Sequence, residues 1–291
     1  MNRSLTLLTL FLLCATPALA ETDPPRDAQA PARMEVVHIP SHGARLNGVL
    51  YLAAGSRPHP TMILFHGLPG NEQNLDLAQA VRRTGWNVLT LHYRGAWGSP
   101  GVYSYTHQIE DGLAALAFVR GAKSVEDYRI DPTRIVLAGH STGGFVAINT
   151  AARAPGQIAG LISISASDDA QEALDALGDQ KKWAKFMSDE FDDLSGLSGC
   201  TAKGLAHELL VHGHAWAFRT AAPSLKNVPT LIVTADDGLQ AEGDAFGHAL
   251  ETEGGHPAFA HFATDHPYSD QRLALQASVA DWLGKNVRSP E

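Results

Sequence analysis

From Thr61 onward, short apolar runs recur at intervals that each leave room for one helix, and no other feature narrows the possible folds as much. The runs are Thr61 to His66, Asn87 to His92, Arg134 to Gly139, Ile158 to Ser163, Thr230 to Thr234 and Pro257 to Phe262. Strands separated in this way are joined by crossovers, so they lie parallel in one sheet with helices on both faces. The intervening segments predict helices over Glu72 to Arg83, Thr106 to Arg120, Thr142 to Arg153, Glu242 to Glu253 and Asp270 to Lys285. Two alternating runs, Met34 to Ile39 and Arg45 to Leu52, flank Ser41-His42-Gly43 and predict an antiparallel hairpin ahead of them. The expected class is therefore α/β, with a mainly parallel central sheet and an N-terminal antiparallel hairpin.

One interval breaks the rhythm. The stretch between Ser163 and Thr230 is too long for a single crossover helix, and its charged part, Asp168 to Leu194, is followed after Gly196 to Gly199 by a second helical portion, Leu205 to Phe218. A structureless loop of that length is disfavoured in a compact domain, so a helical cap insertion at about residues 166–223 is expected within one domain spanning 34–291. Residues 21–33, with Asp23-Pro24-Pro25 and Ala30-Pro31, have the composition of a flexible lead-in. Residues 1–20 read as a secretory signal: Arg3, the apolar run Leu5 to Leu13, then Ala18-Leu19-Ala20. That run falls short of the roughly twenty residues that span a bilayer, so the expectation is a secreted or periplasmic protein with no stable membrane anchor.

The formal charge is −9, which disfavours a phosphate-binding, nucleic-acid partner. Cys14 falls within the signal, leaving Cys200 without a disulfide partner and, between Gly199 and Thr201, without an adjacent base. His207, His212 and His214 lack carboxylates at ligand spacing, so neither a metal nor another cofactor is expected.

Chemistry enters at Gly139-His140-Ser141-Thr142-Gly143, a G-x-S-x-G pattern between a predicted strand and a predicted helix. A tight strand-to-helix turn exposes its central serine at the carboxyl end of the sheet. Serine needs a base to remove its proton, and the base needs an orienting acid. Ala235-Asp236-Asp237-Gly238 and Thr264-Asp265-His266-Pro267-Tyr268 follow the last two predicted strands, which gives the chain order Ser, Asp, His. His266 is the candidate base. Adjacent residues of an extended segment face opposite ways, so only one of Asp236 and Asp237 can reach it. The backbone N–H of Thr142, at the opening of the helix, is a candidate oxyanion donor.

Together with Phe65-His66-Gly67-Leu68-Pro69-Gly70 and Tyr93-Arg94-Gly95-Ala96-Trp97-Gly98-Ser99, these motifs resemble the α/β-hydrolase superfamily. Within it, the likeness is to bacterial esterases and to acyl-peptidase-like serine hydrolases of the prolyl oligopeptidase clan, without a propeller domain. The resemblance implies Asp237 as the acid, with Asp236 as the alternative, and the Leu68 N–H as the second oxyanion donor. Arg94 takes a structural role on this reading. His66, Trp97, Tyr103 and His140 are candidates for lining the substrate pocket. The implied function is a serine hydrolase acting through an acyl-enzyme on carboxylic esters. Two alternatives stand: a peptidase on short peptides, for which Asp189 and Glu190 could receive an amino terminus although a charged helix face is the plainer explanation of them, and a non-catalytic ligand-binding protein.

Overall fold

The computed structural model describes residues 23–287; the signal expected over 1–20 lies outside them. Two antiparallel strands, β1 (Arg33–Ser41) and β2 (Ala44–Leu52), open the sheet. They are joined at His42 and Gly43, both at positive φ, the conformation that matches a two-residue turn to the natural strand twist. The lead-in is docked in part, since the Gly55 N–H donates to the Ala30 carbonyl at 2.9 Å.

The remaining strands are β3 (His59–Phe65), β4 (Asn87–Leu91), β5 (Ile130–His140), β6 (Gly160–Ile164), β7 (Thr230–Ala235) and β8 (Ala258–Phe262). The order across the eight-stranded sheet is β1-β2-β4-β3-β5-β6-β7-β8, and all pairs from β4 to β8 are parallel. β3, β4, β6 and β7 are buried along their whole length, which is why each reads as a continuous apolar run rather than an alternating one. β8 lies at the edge, and its residues alternate between half-buried and exposed.

Helices α1 (Leu75–Arg83), α2 (Tyr105–Arg120), α3 (Ala122–Tyr128) and α4 (Thr142–Arg153) are followed by α5 (Asp169–Ala176), α6 (Gln180–Phe191), α7 (Ala202–Trp216) and α8 (Phe218–Leu225). Then come α9 (Gln240–Thr252) and α10 (Arg272–Asn286). The short α3 was not expected: its sequence is largely polar and buries only Ser124, so no apolar periodicity announces it. α4 is buried from Thr142 to Ala151 beneath α2 and α8. The segment between β6 and β7 holds four helices. α5, α6 and α7 pack on one another, whereas α8 packs on α4 and α9 against the body of the domain.

The Tyr93-Arg94-Gly95 loop is fixed by charge. Arg94, nearly buried, donates through Nε to Asp111 Oδ1 at 2.7 Å and through its backbone N–H to Asp111 Oδ2 at 2.7 Å, and it also meets Glu110. Asp111 is fully buried and takes a further hydrogen bond from Ser41, tying α2 to the hairpin. Removing one partner of such a pair strands a buried charge, so Asp111→Ala is expected to lower stability by roughly 3–5 kcal/mol. The exposed Lys285–Asp281 pair contributes at most about 1 kcal/mol, and Asp281→Ala serves as the control; urea unfolding of the two variants measures the difference.

Candidate active site

The turn between β5 and α4 is built by close backbone approach. A Cβ on Gly139 would lie 1.9 Å from the Gly143 carbonyl oxygen, and one on Gly143 would lie 2.3 Å from that of Phe65. Only glycine lets β5, α4 and β3 converge in this way. Ser141 sits at the apex with φ 59° and ψ −134°, and its hydroxyl is not spent on capping α4. Strain of this kind at a single polar residue points to a functional constraint.

His266 follows β8, and its Nδ1 lies 2.8 Å from Asp237 Oδ2. The Asp237 side chain is 1% exposed. Burial pushes its carboxyl up, but hydrogen bonds from His266, Ser165 and the Leu239 N–H outweigh this and hold it down at about 2. The carboxylate is thus ionised throughout the physiological range and accepts from Nδ1–H, leaving Nε2 of the neutral imidazole with its lone pair. Asp236 points the other way, 3.2 Å from the exposed His261. The structure therefore joins His266 to Asp237 rather than to its neighbour.

The loop bearing His266 is held from three sides. His140 donates from Nε2 to the His266 carbonyl at 2.9 Å, and the two rings lie 4.4 Å apart. Arg272 donates to the Pro267 carbonyl at 2.9 Å and pairs with Asp76. Tyr268, fully buried, shares a 2.9 Å hydrogen bond with Ser165. Burial and the adjacent His266 press His140 down to about 3, so it stays neutral beside that ring.

Ser141, Thr142, Leu68, Asp237 and His266 share a cleft of about 390 Å³. The His66-Gly67-Leu68 loop abuts the serine, since a Cβ on Gly67 would come within 2.9 Å of the Ser141 Cβ. The Thr142 N–H occupies the first helical position, where no intrahelical acceptor exists.

The four residues expected to line this cleft do not border it. His66 is buried behind Gly70, donating from Nδ1 to the Gly67 carbonyl, while Nε2 faces His92. Trp97 packs over Gly70 and Gly196 and donates to the Pro69 carbonyl at 2.7 Å. Tyr103 is buried against Tyr93 and Gln108, and His140 lies beneath the His266 loop. All four brace the loops that form the cleft, because their polar atoms are engaged by neighbouring backbone or side chains.

The remaining wall is acidic. Glu172, Asp189 and Glu190 from the inserted helices, with Lys185, face Glu242 of α9 across the cleft. Of these, only Asp189 and Glu190 were noted in the sequence. Burial, followed by mutual repulsion, raises Glu190 to about 9; burial raises Glu242 to about 8 against a hydrogen bond from the Asp168 N–H. Among the described residues, no three His, Cys, Asp or Glu side chains converge closely enough to hold a metal ion, and no helix is long and apolar enough to cross a membrane.

Fold and site together define an α/β-hydrolase of the esterase type. The chain belongs to the Hydrolase_4 family, described as serine aminopeptidase, S33, whose model matches residues 56–208. It is similar to the sn-1-specific diacylglycerol lipase ABHD11 of Xenopus tropicalis, at 33% identity over 132 residues, which is 44% of this chain and 38% of that protein. The quorum-quenching protein AidA of Acinetobacter baumannii is 30% identical over 122 residues, covering 40% of this chain and 38% of that protein. The matched region thus spans well under half of these relatives. Among solved structures, an esterase of Pyrobaculum calidifontis superposes with a TM-score of 0.67 at 20% identity, covering 90% of this chain and 88% of its own. Est1E of Butyrivibrio proteoclasticus, with ferulic acid bound, gives 0.69 at 18% identity, covering 86% and 99%. At these identities the structures speak for the fold.

The acidic wall has a measurable consequence. Between about pH 4.5 and 9 the folded protein retains protons on Glu190 and Glu242 that the unfolded chain has released, so stability falls as pH rises through that interval. His66 and His140, held neutral, act oppositely, but only below about pH 6.5. The urea midpoint is therefore expected to decline from about pH 7 to 9, with a shallower slope in Glu190→Gln.

Proposed function

We propose that this hydrolase is a serine esterase that cleaves carboxylic esters through an acyl-enzyme. The observation that carries the reading is the His266 Nδ1–Asp237 hydrogen bond beside an apical serine left free of capping. Ser141 Oγ attacks the acyl carbon while His266 Nε2 takes its proton, and the developing oxyanion is met by the N–H groups of Leu68 and Thr142. The proton then passes to the departing alcohol. Water, deprotonated by His266, attacks the acyl-enzyme, and the proton returns to Ser141 as the carboxylic acid leaves. Asp237 holds the tautomer and stabilises the imidazolium without itself taking a proton.

Esters are preferred over peptides because the fold neighbours are esterases and one relative is a lipase. The family's description favours a peptidase, and short acyl esters assayed beside aminoacyl amides decide between them. Labelling by a fluorophosphonate is expected in the wild type and absent in Ser141→Ala; equal labelling of both refutes the nucleophile. Asp237→Asn is expected to lower kcat by about 10⁴-fold through loss of the correct tautomer, and Asp236→Asn by less than about threefold, given its exposed pairing with His261. Steady-state kinetics on one ester compares the two, and the opposite ranking would transfer the acid's role to Asp236.

A further inference from the structure

How strongly Asp237 draws on His266 depends on what else draws on Asp237. Ser165, which follows β6, is 2% exposed and held at φ 39°, with its N–H donated to the Val233 carbonyl of β7 at 2.8 Å. A residue with a side chain adopts that left-handed conformation at a cost, and it persists where the surrounding contacts require it. Its hydroxyl has two partners: the Asp237 carboxylate on the loop after β7, and the Tyr268 hydroxyl, at 2.9 Å, on the loop after β8. The serine thereby joins three loops at one buried point.

The direction of the protons follows from the acceptor. An ionised carboxylate has no proton to give, so the Ser165 O–H points at Asp237 and the Tyr268 O–H points at Ser165 Oγ. Burial drives the Tyr268 phenol up, so it keeps that proton. The result is a one-way chain from Tyr268 through Ser165 to Asp237, in which polarised bonds in series strengthen one another by roughly 10–30% each. Asp237 is already oriented without it, by His266 Nδ1 on Oδ2 at 2.8 Å and by the Leu239 N–H on Oδ1 at 3.0 Å. A third donor on an oriented carboxylate acts on its charge. Arg272 is turned elsewhere, to Asp76, Asn74 and the Pro267 carbonyl. A cation on Asp237 would cancel the charge that an imidazolium needs, whereas a hydroxyl draws off part of it and leaves the rest.

We propose that Ser165, supplied by Tyr268, is a positioning residue that tempers the pull of Asp237 on His266 and so keeps the imidazole free to act as base at mildly acid pH. This rests on the esterase reading above and adds to it the setting of its working pH range.

The test compares wild type, Ser165→Ala, Tyr268→Phe and the double variant. The first readout is the proton resonance of the His266 Nδ1–H in the NMR spectrum of the folded protein, which needs no substrate. It is expected to move downfield in Ser165→Ala, because a carboxylate with one donor fewer holds that proton more tightly, and by less in Tyr268→Phe. The second readout is the acid limb of kcat/KM for p-nitrophenyl acetate. In Ser165→Ala it is expected to move up by about half a pH unit, so that kcat/KM at pH 6 relative to pH 8 falls about two- to threefold. A position and a ratio are both independent of the amount of folded enzyme. Glu172, Lys185, Asp189, Glu190 and Glu242 line the same cleft in all four proteins, as does His140 beneath the loop, and they cancel from the differences. In the double variant the effect of Tyr268→Phe is expected to vanish, since its route runs through the serine. A resonance that stays in place or moves upfield in Ser165→Ala, or an unmoved acid limb, gives the serine a packing role and overturns the proposal. So does a Tyr268→Phe effect of equal size with and without Ser165. If Ser165→Ala does not fold, Tyr268→Phe, which keeps every atom of the serine, decides by the same two readouts. Should the wild type hydrolyse no ester, the esterase reading has failed and the resonance alone decides.

Discussion

Everything at the candidate site depends on how closely three backbones approach beneath Ser141. Gly139 and Gly143 let β5, α4 and β3 meet at distances no side chain would allow, and the result is a serine held at positive φ above the sheet. The carboxyl ends of β3, β5, β7 and β8 then place the remaining loops around it, as in open parallel sheets generally. Asp237 follows β7 and His266 follows β8. The site is thus an outcome of sheet order, with each loop contributing one group.

Electrostatics divides the cleft in two. At the floor, Asp237 is held ionised by three hydrogen bonds, and in the layer behind it His140 and His66 are kept neutral by burial. On the opposite wall, carboxylates crowd together and retain protons. One carboxylate is stabilised as an anion because donors converge on it; the others are not, because burial and mutual repulsion outweigh the donors they have.

Much of this was legible in the sequence. The β3 to β8 runs, the hairpin and the elbow were readable because buried parallel strands and a glycine-bounded turn each impose a local pattern. Asp236 and Asp237 could not be separated by pattern alone; what distinguishes them is a contact with His266 from a different loop. His66, Trp97, Tyr103 and His140 were placed in the pocket by proximity in sequence to the motifs. The structure turns each toward backbone carbonyls or buried rings, which no local pattern encodes. The acidic wall was largely missed because Glu172 and Glu242 come from helices far apart in the chain and resemble ordinary surface positions.

The segment between α6 and α7 is sewn to the Arg94 loop largely by main-chain bonds, with Trp97 packed over Gly196. Ser198 donates to Gly95 and Tyr103 to Ser198, Trp97 donates to Gly196, and Ala96 bridges Leu197. Such stitching does not depend on the exposed side chains of the segment, whereas Gly196 and Gly199 permit its turns and Leu194 and Leu197 pack against the core. Exchange of the exposed Asp192, Ser195 or Ser198 side chain therefore leaves the attachment to the Arg94 loop in place, so this stretch tolerates sequence drift while α6, which borders the cleft, stays anchored beside it.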